Sequence, residues 1–226
     1  MAPAIRFRPS RLIFFTLLLA GTSGALETKP AYAQDRGAFP LDKPRERRSG
    51  LIIGISTGPA FVAASGYPNS AVKTGDPRYY AASGVVVGSS STFMIMGALA
   101  DYLNFGFWFG GGSGENSDWK LTSGGGGVRV EVFPLFSVVP KLRDLGISGQ
   151  FGVGAAEMKA KHGPSPGADG VQSFIATGAF YEFRIFDLWG THFTLAPQVE
   201  YQAIFSEPFS QHGAAAGVRL ALYGGP

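Results

Sequence analysis

The chain holds few residues able to do chemistry. Cysteine is absent and histidine occurs three times. That excludes a thiolate zinc site, a cysteine nucleophile, an iron–sulfur cluster and a disulfide scaffold. No cofactor is expected. Gly54-Ile55-Ser56-Thr57-Gly58 matches the G-x-S-x-G pattern of a nucleophile elbow, which needs a sharp strand-to-helix turn. Here the serine lies in an alternating segment followed by Pro59, so a small inward-facing residue is expected instead. Ser70-Ala71-Val72-Lys73 and Lys73-Thr74-Gly75 share one lysine, whereas the enzyme motifs they mimic sit on separate elements. Walker loops, H-E-x-x-H and calcium loops are missing.

His162 and His212 fall in loop-like segments, and His192 falls at a strand start. No spacing of carboxylate or serine ties them into a triad. A lipid-facing Ser/His/acid cluster is a separate case, and His212 has only Ser210 as a nearby outward serine. No catalytic residue and no metal ligand are assigned. The chain is expected not to be an enzyme, with a lipid-modifying enzyme as the second alternative.

The elements that would position any site are read from patterning. Residues 1–33 read as an export signal: Arg6, Arg8 and Arg11, then the apolar run Leu12 to Ala20, then the cleavage pattern Ala31-Tyr32-Ala33. Ser23-Gly24-Ala25 offers a second cut. Nine apolar residues cannot span a bilayer, which needs about 20. The leader carries four of the 19 basic residues and one of the 16 acids, leaving fifteen of each. The basic pI therefore belongs mostly to the leader, and no nucleic-acid partner is expected. Residues 34–49 are polar, with Pro40 and Pro44, and read as a solvated periplasmic arm. Residues 50–226 form the remaining domain.

In that domain apolar and polar residues alternate with period two. In His192 to Phe205 the odd positions are Phe193, Leu195, Pro197, Val199, Tyr201, Ala203 and Phe205, against Thr194, Gln198, Glu200 and Gln202. The split recurs around Arg129 and Glu131, Glu182 and Arg184, Gln150, and Arg219. Eight strands are expected, near 51–63, 84–99, 103–111, 119–133, 147–159, 171–186, 192–205 and 212–223. Short turns alternate with longer polar segments at 65–82, 112–118, 160–170 and 206–211. The connection 134–146 is expected to be a folded turn.

A soluble β-sandwich also alternates, but its polar face is usually rich in Lys, Glu and Thr. Here one face is aromatic-rich. The other carries Gly, Ser, Gln and paired charges, which suits a narrow polar interior. The fold class is all-β, an eight-stranded antiparallel up-and-down transmembrane β-barrel. A one-residue slip would turn Arg129, Arg184 and Arg219 toward lipid, at about 2–4 kcal/mol each at the midplane. Turned inward, Arg129, Arg184 and Arg219 share the lumen with Glu131, Glu182 and Glu200. A charge network is expected, with Gln150, Gln198 and Gln202 as polar neighbours. Tyr102, Phe133, Phe186 and Trp189 should mark the periplasmic rim. Tyr79, Tyr80 and Trp119 should belong to the surface loops.

The chain resembles the small eight-stranded outer-membrane proteins of Gram-negative bacteria. The resemblance is carried by the hairpin Gly97-Ala98-Leu99-Ala100-Asp101-Tyr102-Leu103-Asn104-Phe105-Gly106, the turn into a strand at Asp144 to Gly154, and the end Gly217-Val218-Arg219-Leu220-Ala221-Leu222-Tyr223. It implies an outer-membrane location with both termini in the periplasm. It also implies outer-membrane lipid, lipopolysaccharide and the barrel-assembly machinery as partners. The expected function is a barrel with a salt-bridged interior, acting in membrane structure or through its surface loops. A narrow pore for ions or small solutes is the alternative.

Overall fold

The computed structural model describes residues 48–163 and 167–224. The leader and nearly all of the basic arm lie outside the described residues. Nine strand segments follow in order: β1 (Gly50–Gly66), β2 (Ala81–Ala100), β3 (Leu103–Glu115), β4 (Trp119–Val132), β5 (Leu145–Ala160), β6 (Ala168–Tyr181), β7 (Phe183–Leu188), β8 (Thr191–Phe205) and β9 (Phe209–Gly224). Each pairs antiparallel with its neighbours, β1 pairs with β9, and β6 and β7 both pair with β8. β6 and β7 are thus one stave interrupted at Glu182, and the sheet closes as an eight-stave barrel. Closure pairs every stave on both sides and removes the open sheet edge that a bilayer would not tolerate.

The alternation works as read. Leu51, Ile53, Ile55, Phe93, Ile95, Phe105, Phe107, Phe151, Ile175 and Leu220 all point outward and lie exposed. A continuous apolar surface around the whole wall has no stable place in water. Facing lipid, it is the belt of a transmembrane barrel.

The staves are longer than the alternation alone indicated. β2 starts at Ala81 and β3 runs through Gly112, Ser113 and Gly114 to Glu115, so the connections around them shrink to 67–80 and 116–118. A closed ladder imposes pairing on residues of low strand propensity, because an unpaired backbone group costs more than a poor side chain does. At the end bearing the termini, the β4–β5 connection folds around a short 3-10 turn, Pro140–Leu142. The β7–β8 hairpin turns through Trp189 (φ 49°) and Gly190 (φ 78°). Two positive φ values in a two-residue loop match the twist of paired strands. Trp189 is an unusual residue for that conformation.

Candidate functional site

The lumen is filled in layers. Nearest the termini, Phe133 and Phe180 meet edge to face at 5.7 Å beside Ala196, and Tyr223 packs in a separate buried cluster with Ile52, Met94, Met96 and Ala221. In the middle, Trp108 and Phe174 pack at 4.4 Å together with Ala176 and Ile204. At the far end Val86, Leu121, Met158 and Phe209 form another apolar plug. The middle layer is possible because the wall around it lacks side chains. A Cβ at Gly127 would fall 2.0 Å from the Phe151 carbonyl oxygen and 2.5 Å from Gly152 Cα. β4 and β5 approach too closely there for anything but glycine. The one large indole of Trp108 occupies the space this leaves.

Between the first two layers runs a chain of alternating charges. Asp144 Oδ1 accepts from Arg48 Nη2 at 2.8 Å, and Arg48 Nε donates to Glu182 Oε2 at 3.1 Å. Glu182 Oε1 accepts from Arg219 Nη1 at 2.8 Å, and Arg219 Nη2 donates to Glu131 Oε2 at 2.9 Å. Glu131 Oε1 accepts from Arg129 Nε at 2.9 Å, and Arg129 Nη1 lies 3.6 Å from Glu200. Gln150 Nε2 donates to Glu200 at 2.6 Å, Asn104 Nδ2 donates to Glu131 at 3.2 Å, and the Tyr223 hydroxyl donates to Glu182. The chain crosses from β3, β4 and β5 to β8 and β9, with Glu182 at the β6/β7 break. Arg129, Arg219 and Glu131 are fully buried. Such charges hold only because each meets opposite charge, since an unpaired one would be strongly destabilising.

Three placements differ from the sequence reading. Arg184 does not enter the network. The ladder shifts between Arg184 and Phe186, β7 lies exposed throughout, and Arg184 pairs with Asp187 at 2.6 Å and with His192. Its place as third lumen arginine is taken by Arg48, which the sequence assigned to the solvated arm. The Arg48 guanidinium is buried, lies 3.5 Å from the Phe133 ring centroid and donates to the Asp101 carbonyl at 2.9 Å. Phe133 is therefore an inner cap rather than a rim aromatic. Its backbone N–H bonds to Tyr102 O, which extends the β3–β4 ladder past Val132 and keeps Phe133 on the inward parity of Arg129 and Glu131. Tyr102, Phe186 and Trp189 do lie exposed at the end with the termini.

Gln150 is buried, whereas Gln198 and Gln202 are part-buried on inward positions of β8. Tyr79 and Tyr80 belong to the 67–80 connection, where Tyr80 packs on Tyr67 at 5.3 Å. Trp119 starts β4 and packs against the far apolar plug. Ser56 is a buried inward residue, as its position in β1 requires.

Outside the belt, two carboxylates titrate away from the usual range. Hydrogen bonds from Arg184 and His192 hold Asp187 at about 2. Arg78 bonds to Asp76 and lowers its pKa also.

Among the described residues the lumen is filled by these side chains, and the fold is that of the small eight-stranded outer-membrane barrels. No family model matches the chain, and no curated protein matches it. Among solved structures it is similar to Ail, the attachment invasion locus protein of Yersinia pestis, at 12% identity. That match covers 76% of this chain and 99% of the other, with a TM-score of 0.46. Neisserial surface protein A matches at 14% identity over 77% of this chain and 99% of its own, with a TM-score of 0.43. AlkL, determined by solid-state NMR in lipid bilayers, matches at 12% identity over 81% and 95%, with a TM-score of 0.39.

Proposed function

We propose that the protein is an outer-membrane barrel whose interior is a structural core and whose work is done on its outer surface. The observation that carries this reading is the layered lumen. Buried apolar clusters and the charge chain fill the lumen, and two spaces left among the side chains are small. One, bounded by Arg48, Glu182, His192 and Tyr223, holds about 20 Å³, and another, beside Gln202 and Gln211, about 10 Å³. Each admits about one water molecule, not a solute. Eight staves enclose just enough room for side chains. The pore reading would need Trp108 and Phe174 to move apart and the Arg219–Glu131 pair to open together.

In this reading both termini lie in the periplasm and the 67–80 connection at the cell surface. An even number of staves puts the ends of the chain on one side. The belt then contacts outer-membrane lipid and lipopolysaccharide, and the 67–80 connection is free to meet partners. The last stave, β9, is the strand offered to the assembly machinery.

The absence of cysteine makes the orientation directly testable. Val72 is 88% exposed in the 67–80 connection. A Val72→Cys chain should react with a membrane-impermeant maleimide on intact cells. Labelling that requires permeabilised cells would overturn the surface assignment.

A further inference from the structure

One polar cluster sits on the outside of the wall, where the lumen network plays no part. His212 points outward from β9. Its Nε2 lies 3.1 Å from Ser210 Oγ, and its Nδ1 lies 2.8 Å from the Tyr201 hydroxyl. Ser210 and His212 are two residues apart on one strand, hence on one face. Tyr201 reaches them from β8, paired with Ala214. Ser65, directly opposite Ser210 in the β1–β9 register, brings a second hydroxyl to the same face. Phe205, opposite Ser210 on β8, faces the membrane at the same level.

Below the cluster, toward the termini, the wall is hollowed. Ala214 and Ala216 leave a groove of about 590 Å³ flanked by Phe61, Val199 and Tyr201. Tyr201 belongs to both features, so hydrogen-bonding groups stand at the mouth of an apolar trough. Such a pairing fits an acylated lipid, with the chain in the trough and the ester at the cluster.

We propose that Ser210, His212 and Tyr201 form an ester-cleaving site for a membrane lipid. This goes beyond the surface-acting reading above, which assigns no chemistry. A nucleophile within hydrogen-bond reach of a base, itself held by a third group, is the general signature of an activated serine. Tyr201 accepts from His212 Nδ1–H, which leaves Nε2 free to accept the Ser210 proton. Ser210 Oγ attacks the ester carbonyl carbon as its proton passes to Nε2. The C–O bond to the lipid alcohol then breaks, and the alcohol leaves with that proton. Water gives a proton to Nε2 and attacks the acyl-serine. The fatty acid departs, and Ser210 regains its proton. Ser65 is placed to donate to the carbonyl oxygen as charge develops on it. Tyr201 acts through His212 and is a positioning residue.

The test uses the mature full-length protein, folded in detergent–lipid micelles and verified by its heat-dependent gel shift. Fatty-acid release is followed with phospholipid and, separately, with lipopolysaccharide. Release from either supports the site and identifies the source of the ester. Ser210→Ala should lower the rate at least about 100-fold while the gel shift persists. Tyr201→Phe should lower kcat several-fold with KM unchanged. A fluorophosphonate, which loses fluoride to an activated serine, should label Ser210 at least about ten-fold faster in the wild type than in His212→Ala. No release from either lipid by correctly folded protein would overturn the proposal, as would release that survives Ser210→Ala. Equal labelling of the two proteins would remove His212 as the base.

Discussion

Arg219 on β9 and Glu131 on β4 meet at 2.9 Å inside the barrel, with neither side chain open to solvent. Neither could be buried alone. Glu131 also accepts from Arg129, and Arg219 also donates to Glu182, so the pair is the centre of the charge chain. Replacing Glu131 by Gln leaves two buried guanidinium groups short of negative charge and should destabilise the barrel by about 3–5 kcal/mol. In Glu131→Gln with Arg219→Met, Arg129 retains Glu200 and Glu182 retains Arg48. The double variant should therefore unfold closer to wild type than either single variant does. Urea unfolding in lipid vesicles, read as a double-mutant cycle, measures the coupling.

Arg48 closes the end of the lumen but is not the seal. Arg48→Ala removes the contacts to Glu182, Asp144 and the Phe133 ring, and should cost about 3 kcal/mol. The Trp108–Phe174 layer remains, so the variant should pass no more ions than wild type. A variant that is destabilised and conducts would show that the end cap, not the middle layer, closes the path.

The middle layer depends on the missing side chains as much as on the indole. Gly127→Ala would drive a Cβ into the backbone of β5 at Phe151 and Gly152. Backbone cannot rotate aside, so a loss of at least about 1–3 kcal/mol is expected. Gly163→Ala serves as the control for open space, because a Cβ there meets nothing. Its backbone is nonetheless left-handed (φ 76°), so only a local strain of about 1 kcal/mol is expected.

The exposed β7–β8 hairpin should respond to acid before the barrel does. Asp187 falls from its ordinary 3.8 to about 2 because Arg184 and then His192 bond to its ionised form. A lowered carboxylate pKa adds stability that is complete above the unfolded value and is lost as pH falls through the folded one. The hairpin should therefore loosen between about pH 4 and pH 2, and Asp187→Asn should abolish that dependence. Amide exchange at Leu188 to His192 reads the opening locally. The effect on global unfolding should be small, because the ion pairs are exposed.

Much of this was legible in the residue order. Period-two alternation places Arg129, Glu131, Glu182, Glu200 and Arg219 on one face, because strand side chains have no third direction. Arg184 shares that parity, yet its stave breaks at Glu182 and shifts register, which alternation cannot register. Arg48 gave no signal at all. It stands before the first strand, among other arginines, and its place is set by Glu182 and Asp144, which are distant in sequence. Phe133 lies at a strand end where aromatic residues usually meet the membrane surface, yet it shares the inward parity of Arg129 and Glu131, and the ladder bond to Tyr102 carries that parity past Val132. Ser210 and His212 were visible as neighbours, but Tyr201 joins them only through the β8–β9 register.

A structural interior requires a closed lumen. Single-channel recording in a planar bilayer, with protein that shows the heat-dependent gel shift, tests it. A silent bilayer is expected for the wild type. Steady conductance steps, with ion selectivity that changes in Glu131→Gln, would contradict the account and establish a water-filled path through the charge chain.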